Sequence, residues 1–232
     1  MNTIAIMQPT FFPWLGYFEL VNKVDKFVFL DDVEISKQSW QTRNFFCSNN
    51  QCYWKSIPIK GSSKNMINEA EISRQDLFFK KFLKFIEQNF KNYKFDEIHR
   101  LIHQINYQYE EINLADFNIK FLEWALKLFN IRTAVYRSSQ IEGSNGLIKT
   151  REEKIINIVK KLSCDRYIAA MGSKDYMEKF GLGNYPFEVE FFDYPNSKKI
   201  SIFYDGYGFE NVLELINRLG ISKIQEEVFL RV

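Results

Sequence analysis

A chain of 232 residues is long enough to bury a sizeable core in one domain, or in one domain carrying an insertion. Its 46% apolar and 26% charged residues are ordinary for a soluble globular protein, and 31 basic against 29 acidic side chains exclude an electrostatic case for nucleic acid. Three cysteines without a secretion signal argue against a disulfide framework. No run approaches about 18 apolar residues, so a cytoplasmic location with no transmembrane segment is expected.

In chain order, residues 3–8 (TIAIMQ) predict a buried strand stopped by Pro9. Pro13 and Gly16 mark a turn over residues 10–16. Leu15, Phe18, Val21 and Val24 recur at helical spacing, and residues 27–30 (FVFL) read as a strand buried on both faces. Strand, turn, helix and strand in that order open a parallel α/β sheet with a right-handed crossover. Residues 51–59 predict a further strand, near a sheet edge because of Pro58. Three amphipathic helices are expected over 76–91, 95–109 and 116–129, the last starting at Asp116. The reading is a single α/β domain over 1–232, with a mostly parallel sheet, flanking helices, and residues 76–129 as a central helical insertion or lid.

Residues 133–136 predict a short strand and 137–145 a loop. A helix over 151–162 carries Thr150 as N-cap and Glu153 in the capping-box position. Residues 166–170 predict a strand, Gly172-Ser173 a turn and 175–180 a short helix. Two more strands, 187–192 and 199–204, are expected around a turn at 195–197, then a helix over 209–219 stopped by Gly220.

No phosphate-binding glycine loop and no serine elbow is present. His99 and His103 share a helix face but have no third ligand in the sequence pattern, so neither a metal nor another cofactor is identified. Three stretches remain. In QPTFFPWLGYF, Gln8, Trp14 and Tyr17 follow the first strand, where open α/β sheets bind ligands, and Gly16 permits close backbone approach. In DDVEISKQSWQTRN, Asp31 and Asp32 are expected on opposite faces of a strand end. Asp32, or else Asp31, is the general-base candidate. Gln38, Trp40, Arg43 and Asn44 follow in a loop, and Arg43 suits bidentate contact with a phosphate. In RYIAAMGSKDYM, Lys174 is placed to neutralise phosphate and Tyr176 to stack.

Taken together, IAIMQPTFFPWLGYFELVNKVDKFVFLDDVEISKQSWQTRN and YIAAMGSKDYM resemble the WbqC-like family, with its Gln-Pro, Phe-Pro-Trp-x-Gly-Tyr-Phe, Asp-Asp-Val and Trp-Gln-x-Arg-Asn pattern. The chain departs from it at IAAMG, where a Ser-Gly pair is usual. The matching positions are Gln8, Pro9, Pro13, Trp14, Gly16, Tyr17, Asp31, Asp32, Gln38, Trp40, Arg43, Asn44, Gly172, Lys174, Asp175 and Tyr176. The opening also resembles the nucleotidyltransferases that include pantothenate synthetase, although Trp14-Leu15-Gly16-Tyr17 lacks their two histidines.

The family resemblance implies an aminoacyl- or acyltransferase of O-antigen, lipopolysaccharide or other surface-polysaccharide biosynthesis. Its expected partners are a nucleotide-linked amino sugar and an activated, possibly carrier-bound acyl or aminoacyl (glycyl) donor. Two alternatives stand beside it. One is a nucleotide-dependent enzyme that activates glycine or a small acid. The other is a non-catalytic sugar-binding or scaffold protein.

Overall fold

A computed structural model describes residues 2–36, 39–48, 51–61, 65–92, 95–141, 150–206 and 208–229. The N-terminal apolar run forms β1 (Thr3–Met7), α1 (Leu15–Lys23) and β2 (Lys26–Phe29), as the sequence pattern predicts. β5 (Ala134–Arg137), β6 (Arg166–Ala170) and β7 (Glu188–Phe192) join them in a parallel five-stranded sheet ordered β5-β2-β1-β6-β7. Counting only this sheet's strands, the order is third, second, first, fourth, fifth, which is the doubly wound arrangement. The direction of winding reverses between β1 and β6. Ligand crevices of such sheets lie at that switch, beyond the carboxyl ends of the strands.

Alternation along the strands explains why helices cover both faces. Ile4, Ile6, Val28, Tyr167 and Ala169 pack with Ile155, Ile158 and Val159 of α5 (Arg151–Lys161). Ala5, Phe27, Phe29 and Ile168 belong to a larger core with α1. α2 (Gln75–Asn89), α3 (Asp96–Gln108) and α4 (Leu114–Leu128) contribute Phe82, Ile98, Phe117 and Phe121 to this same core. α4 starts two residues before the expected Asp116, because Asn113 is its N-cap and accepts from the Asp116 amide at 2.8 Å. The capping box of α5 forms as predicted between Thr150 and Glu153.

Three expectations are corrected. Arg43 and Asn44, expected in a loop, open β3 (Arg43–Ser48), which pairs antiparallel with β4 (Gln51–Ser56) as a separate hairpin. Phe45 and Phe46 are adjacent and both buried, so no period-two alternation advertised the strand. The hairpin register sets Cys47 directly opposite Cys52, and the two are joined by a disulfide despite the odd cysteine count. The predicted turn and strand over 195–204 is instead α7 (Pro195–Ile200), then β8 (Phe203–Tyr204) paired with β9 (Gly208–Phe209). Pro195 suits a first helical position, and the distant Glu19 carboxylate accepts from the Asn196 and Ser197 amides at 3.1 and 2.9 Å.

α6 (Lys174–Phe180) follows β6 through a single 3₁₀ turn. The chain closes with α8 (Val212–Leu219), ended at Gly220, and α9 (Ile221–Ile224) running into a short π-helical turn. Among the described residues, no helix is long and apolar enough to cross a membrane.

Candidate functional site

The turn leaving β1 is held open by side chains from three directions. Asn44 donates to the Phe11 and Phe12 carbonyls at 3.0 and 2.7 Å and accepts from the Phe45 amide at 2.8 Å. Phe12 takes a left-handed backbone conformation, φ 47°, which a bulky residue adopts only under such restraint. Asn118 of α4 donates to the Pro9 and Gln41 carbonyls at 3.1 and 2.9 Å. The Phe11 amide bonds to the Trp40 carbonyl at 2.8 Å, and Gln41 donates its side-chain amide to that of Gln8. Gln8 and the segment around Trp40 are therefore one unit at the carboxyl end of the central strand.

Tyr17 is buried, and burial holds its phenol well above the ordinary range, so it stays a neutral donor. It bonds to the Gln8 carbonyl at 3.2 Å. Trp14 stacks on Phe209 with ring centroids 4.5 Å apart, and its indole lies against Gly16. Tyr17 and Asn44 thus spend their polar contacts on the turn itself, and Trp14 packs the turn against Tyr194 and Phe209. Trp40 and Trp54 remain 48% and 43% exposed with centroids 6.0 Å apart, and the Arg43 guanidinium lies 4.4 Å over the Trp54 ring. Two neighbouring exposed indoles form an apolar platform of the kind that stacks on a sugar or base. Gln38 lies outside the described residues.

The two carboxylates after β2 converge instead of pointing apart. β2 ends at Phe29, so Asp31 and Asp32 sit beyond the strand, where its alternation no longer applies. Both accept from the Ser138 hydroxyl. Asp31 is fully buried and also accepts from Arg137 Nε at 2.7 Å, the Ser139 amide at 2.9 Å and the Ser139 hydroxyl at 2.8 Å. A carboxylate offers about four lone-pair sites, and those of Asp31 anchor the segment after β5. Asp32 faces Lys154 of α5, whose Nζ lies 2.8 Å from Oδ2 and 2.8 Å from the Asp32 carbonyl.

The turn after β6 exposes Met171 and Gly172, and a Cβ at Gly172 would meet nothing within 4 Å. Lys174 is half-exposed, 3.7 Å from Glu178, its neighbour one helical turn on. Tyr176 is half-buried, and burial raises its phenol. The Arg151 guanidinium lies 4.7 Å over its ring. Arg151 and Lys154, three apart on the first turns of α5, thus reach the segments after β6 and β2 respectively. Lys154 and Arg151 carry no signal in the sequence, because REEK is indistinguishable from any solvated helix start until its partners are known, and Ser138 is likewise an ordinary serine of a polar stretch. Among the described residues, no group of three or more His, Cys, Asp or Glu is arranged to hold a metal ion.

A doubly wound parallel sheet, with polar side chains gathered at the carboxyl ends of β1, β2 and β6, defines an α/β protein of the switch-point class. The chain belongs to the WbqC-like protein family, whose model matches residues 8–219. It is 25% identical over 224 residues to the uncharacterized protein Rv1507c of Mycobacterium tuberculosis (strain ATCC 25618 / H37Rv), covering 95% of each chain. No solved structure matches it.

Proposed function

We propose that the protein is a transferase adding a glycyl or other acyl group to the amine of a nucleotide-linked amino sugar, in the synthesis of O-antigen or another surface polysaccharide, in the cytoplasm. The observation that carries this reading is the unit built on the turn after β1. It ties Gln8 to the Trp40 segment and so sets the Trp40–Trp54 platform beside the sheet's carboxyl edge. The sugar stacks on the indoles and hydrogen-bonds to the Gln8–Gln41 amides. Its amine attacks the carbonyl of the activated donor, forming the C–N bond. The bond to the donor's leaving group breaks, and Asp32 accepts the amine proton. Lys154 balances the Asp32 charge. Arg151 and Lys174, from the starts of α5 and α6, meet the nucleotide's phosphates, while Arg43 is committed to the face of Trp54.

A second reading, nucleotide-dependent activation of glycine or a small acid, is favoured by the strand order, because the crevice between β1 and β6 is where doubly wound sheets hold nucleotides. Turnover of a nucleotide-linked amino sugar with acyl donors, in the presence and absence of ATP and Mg²⁺, separates the two. Asp32→Asn is expected to lower kcat by about 10²–10⁴-fold with KM little changed. Trp40→Ala is expected to raise KM for the sugar. Full activity in both variants refutes the assignment, and sugar binding without any product identifies a non-catalytic module.

A further inference from the structure

Between the end of β4 and the first half of α2 lies a groove of about 360 Å³, within the range of small-ligand sites, roughly 300–1,000 Å³. Its floor is apolar. Phe82 is buried, Phe78 is half-buried, and Leu77 stands 43% exposed beside them. Phe78 and Phe82, and likewise Leu77 and Lys81, are one helical turn apart, so a single face of α2 carries both the apolar and the basic lining. Ser56 is the only hydroxyl or amide side chain of the lining, so a polyol finds little to bond there.

The charges of the groove are all of one sign. Lys55, Arg74 and Lys81 line it and no acidic side chain does. Among the described residues, none of the three cations is ion-paired. Lys55 differs from an ordinary surface lysine. It is half-buried, and its ammonium lies 3.8 Å from the centroid of the Phe85 ring and 5.8 Å from that of Tyr53. Burial lowers its pKa, and no carboxylate offsets that shift. Arg137, Lys154 and Arg166 are half-buried too, and each of them meets a carboxylate. Aromatic faces compensate a desolvated cation only in part, so what Lys55 lacks is a counter-ion. An apolar floor beside three unpaired cations is complementary to a molecule with an apolar body and an anionic end.

We propose that this groove binds a soluble single-chain anionic amphiphile, its chain along Leu77, Phe78 and Phe82 and its carboxylate or phosphate end among Lys55, Arg74 and Lys81. A recess between a strand and a helix encloses one chain, whereas docking on a bilayer calls for a projecting apolar surface. Successive residues of a strand face opposite ways, so Lys55 and the groove lie on the other face of β4 from Trp54 and its platform. The site is independent of the transferase reading, since its test involves no turnover.

The probes are octyl phosphate, octanol, octyltrimethylammonium and inorganic phosphate, each as monomers in solution. Calorimetry on the intact chain should show octyl phosphate binding at least about tenfold more tightly than octanol, the size of one charge-assisted hydrogen bond. Inorganic phosphate, which lacks the chain, should bind at least about tenfold more weakly than octyl phosphate, and the cationic probe should bind most weakly of all. In the parent chain, octyl phosphate should slow acetylation of Lys55 by acetic anhydride, read by mass spectrometry, while the exposed Lys160 of α5 reacts at an unchanged rate. Lys55→Met keeps an apolar stem against Phe85 and removes the charge, so it should lower the affinity for octyl phosphate about tenfold and leave that for octanol unchanged. Equal binding of octyl phosphate and octanol, no binding of octyl phosphate, inorganic phosphate binding as tightly, or no protection of Lys55 overturns the proposal, and all four are read on the parent chain. Binding to phosphatidylglycerol vesicles that octyl phosphate does not compete away assigns this face to a membrane and overturns it as well.

Discussion

Replacing Asn44 with alanine tests the central structural argument, that this side chain fixes the turn on which the candidate site is built. The substitution removes three hydrogen bonds, two to the Phe11 and Phe12 carbonyls and one from the Phe45 amide, all in buried surroundings. At about 1 kcal/mol net for each bond, the loss is about 3 kcal/mol. Phe12, no longer held at φ 47°, regains part of the roughly 1–2 kcal/mol that its left-handed conformation costs. A domain of this length loses about 2–4 °C of melting temperature per kcal/mol, so a fall of about 5–10 °C is expected. Asn44→Asp should fall further, because an oxygen then faces the two carbonyls where a donor stood. Thermal unfolding followed by circular dichroism measures both, and hydrogen exchange at the Phe45 amide reports the local release directly. If Asn44→Ala melts within about 2 °C of the parent, or if Asn44→Asp is the milder change, the turn is held by something else and the reasoning fails.

Gly16→Ala places a Cβ 2.1 Å from the Trp14 ring, so the indole must leave its stack on Phe209. A loss of about 1–3 kcal/mol and a red shift of tryptophan emission are expected, both much reduced in a Trp14→Leu background. Glu214 makes stability fall with rising pH. Its folded pKa of about 8 lies above the ordinary value of about 4.3, so the folded state holds this proton more tightly, and the contribution is complete below pH 4 and lost as pH rises to 8. The loss is on the order of 3–5 kcal/mol at most. Denaturation of the parent and of Glu214→Gln across pH 5–8 should therefore diverge in favour of the variant, whereas parallel curves contradict the assignment.

Local pattern alone determined much of this molecule. Continuous apolar runs marked β1, β2 and β6, helical spacing marked α1 through α4, and Thr150 with Glu153 marked the start of α5, because each signal is complete within a few residues. The family motif likewise singled out the turn after β1 and the paired carboxylates. The roles within the motif were not legible. Asn44 and Tyr17 carry the same kind of signature as Gln8, and only their partners reveal that they brace the turn. β3 was hidden because Phe45 and Phe46 are both buried, between the hairpin and the helices, which erases alternation. α7 was hidden because its first amides are capped by Glu19, 177 residues away in the chain. Asp32 finds Lys154 at a separation of 122 residues and Ser138 at 106. Parallel strands cannot pair without long crossovers, so the groups gathered at their carboxyl ends come from remote segments. Their meeting is a product of the tertiary fold, since each is chemically ordinary until the sheet closes and removes it from water.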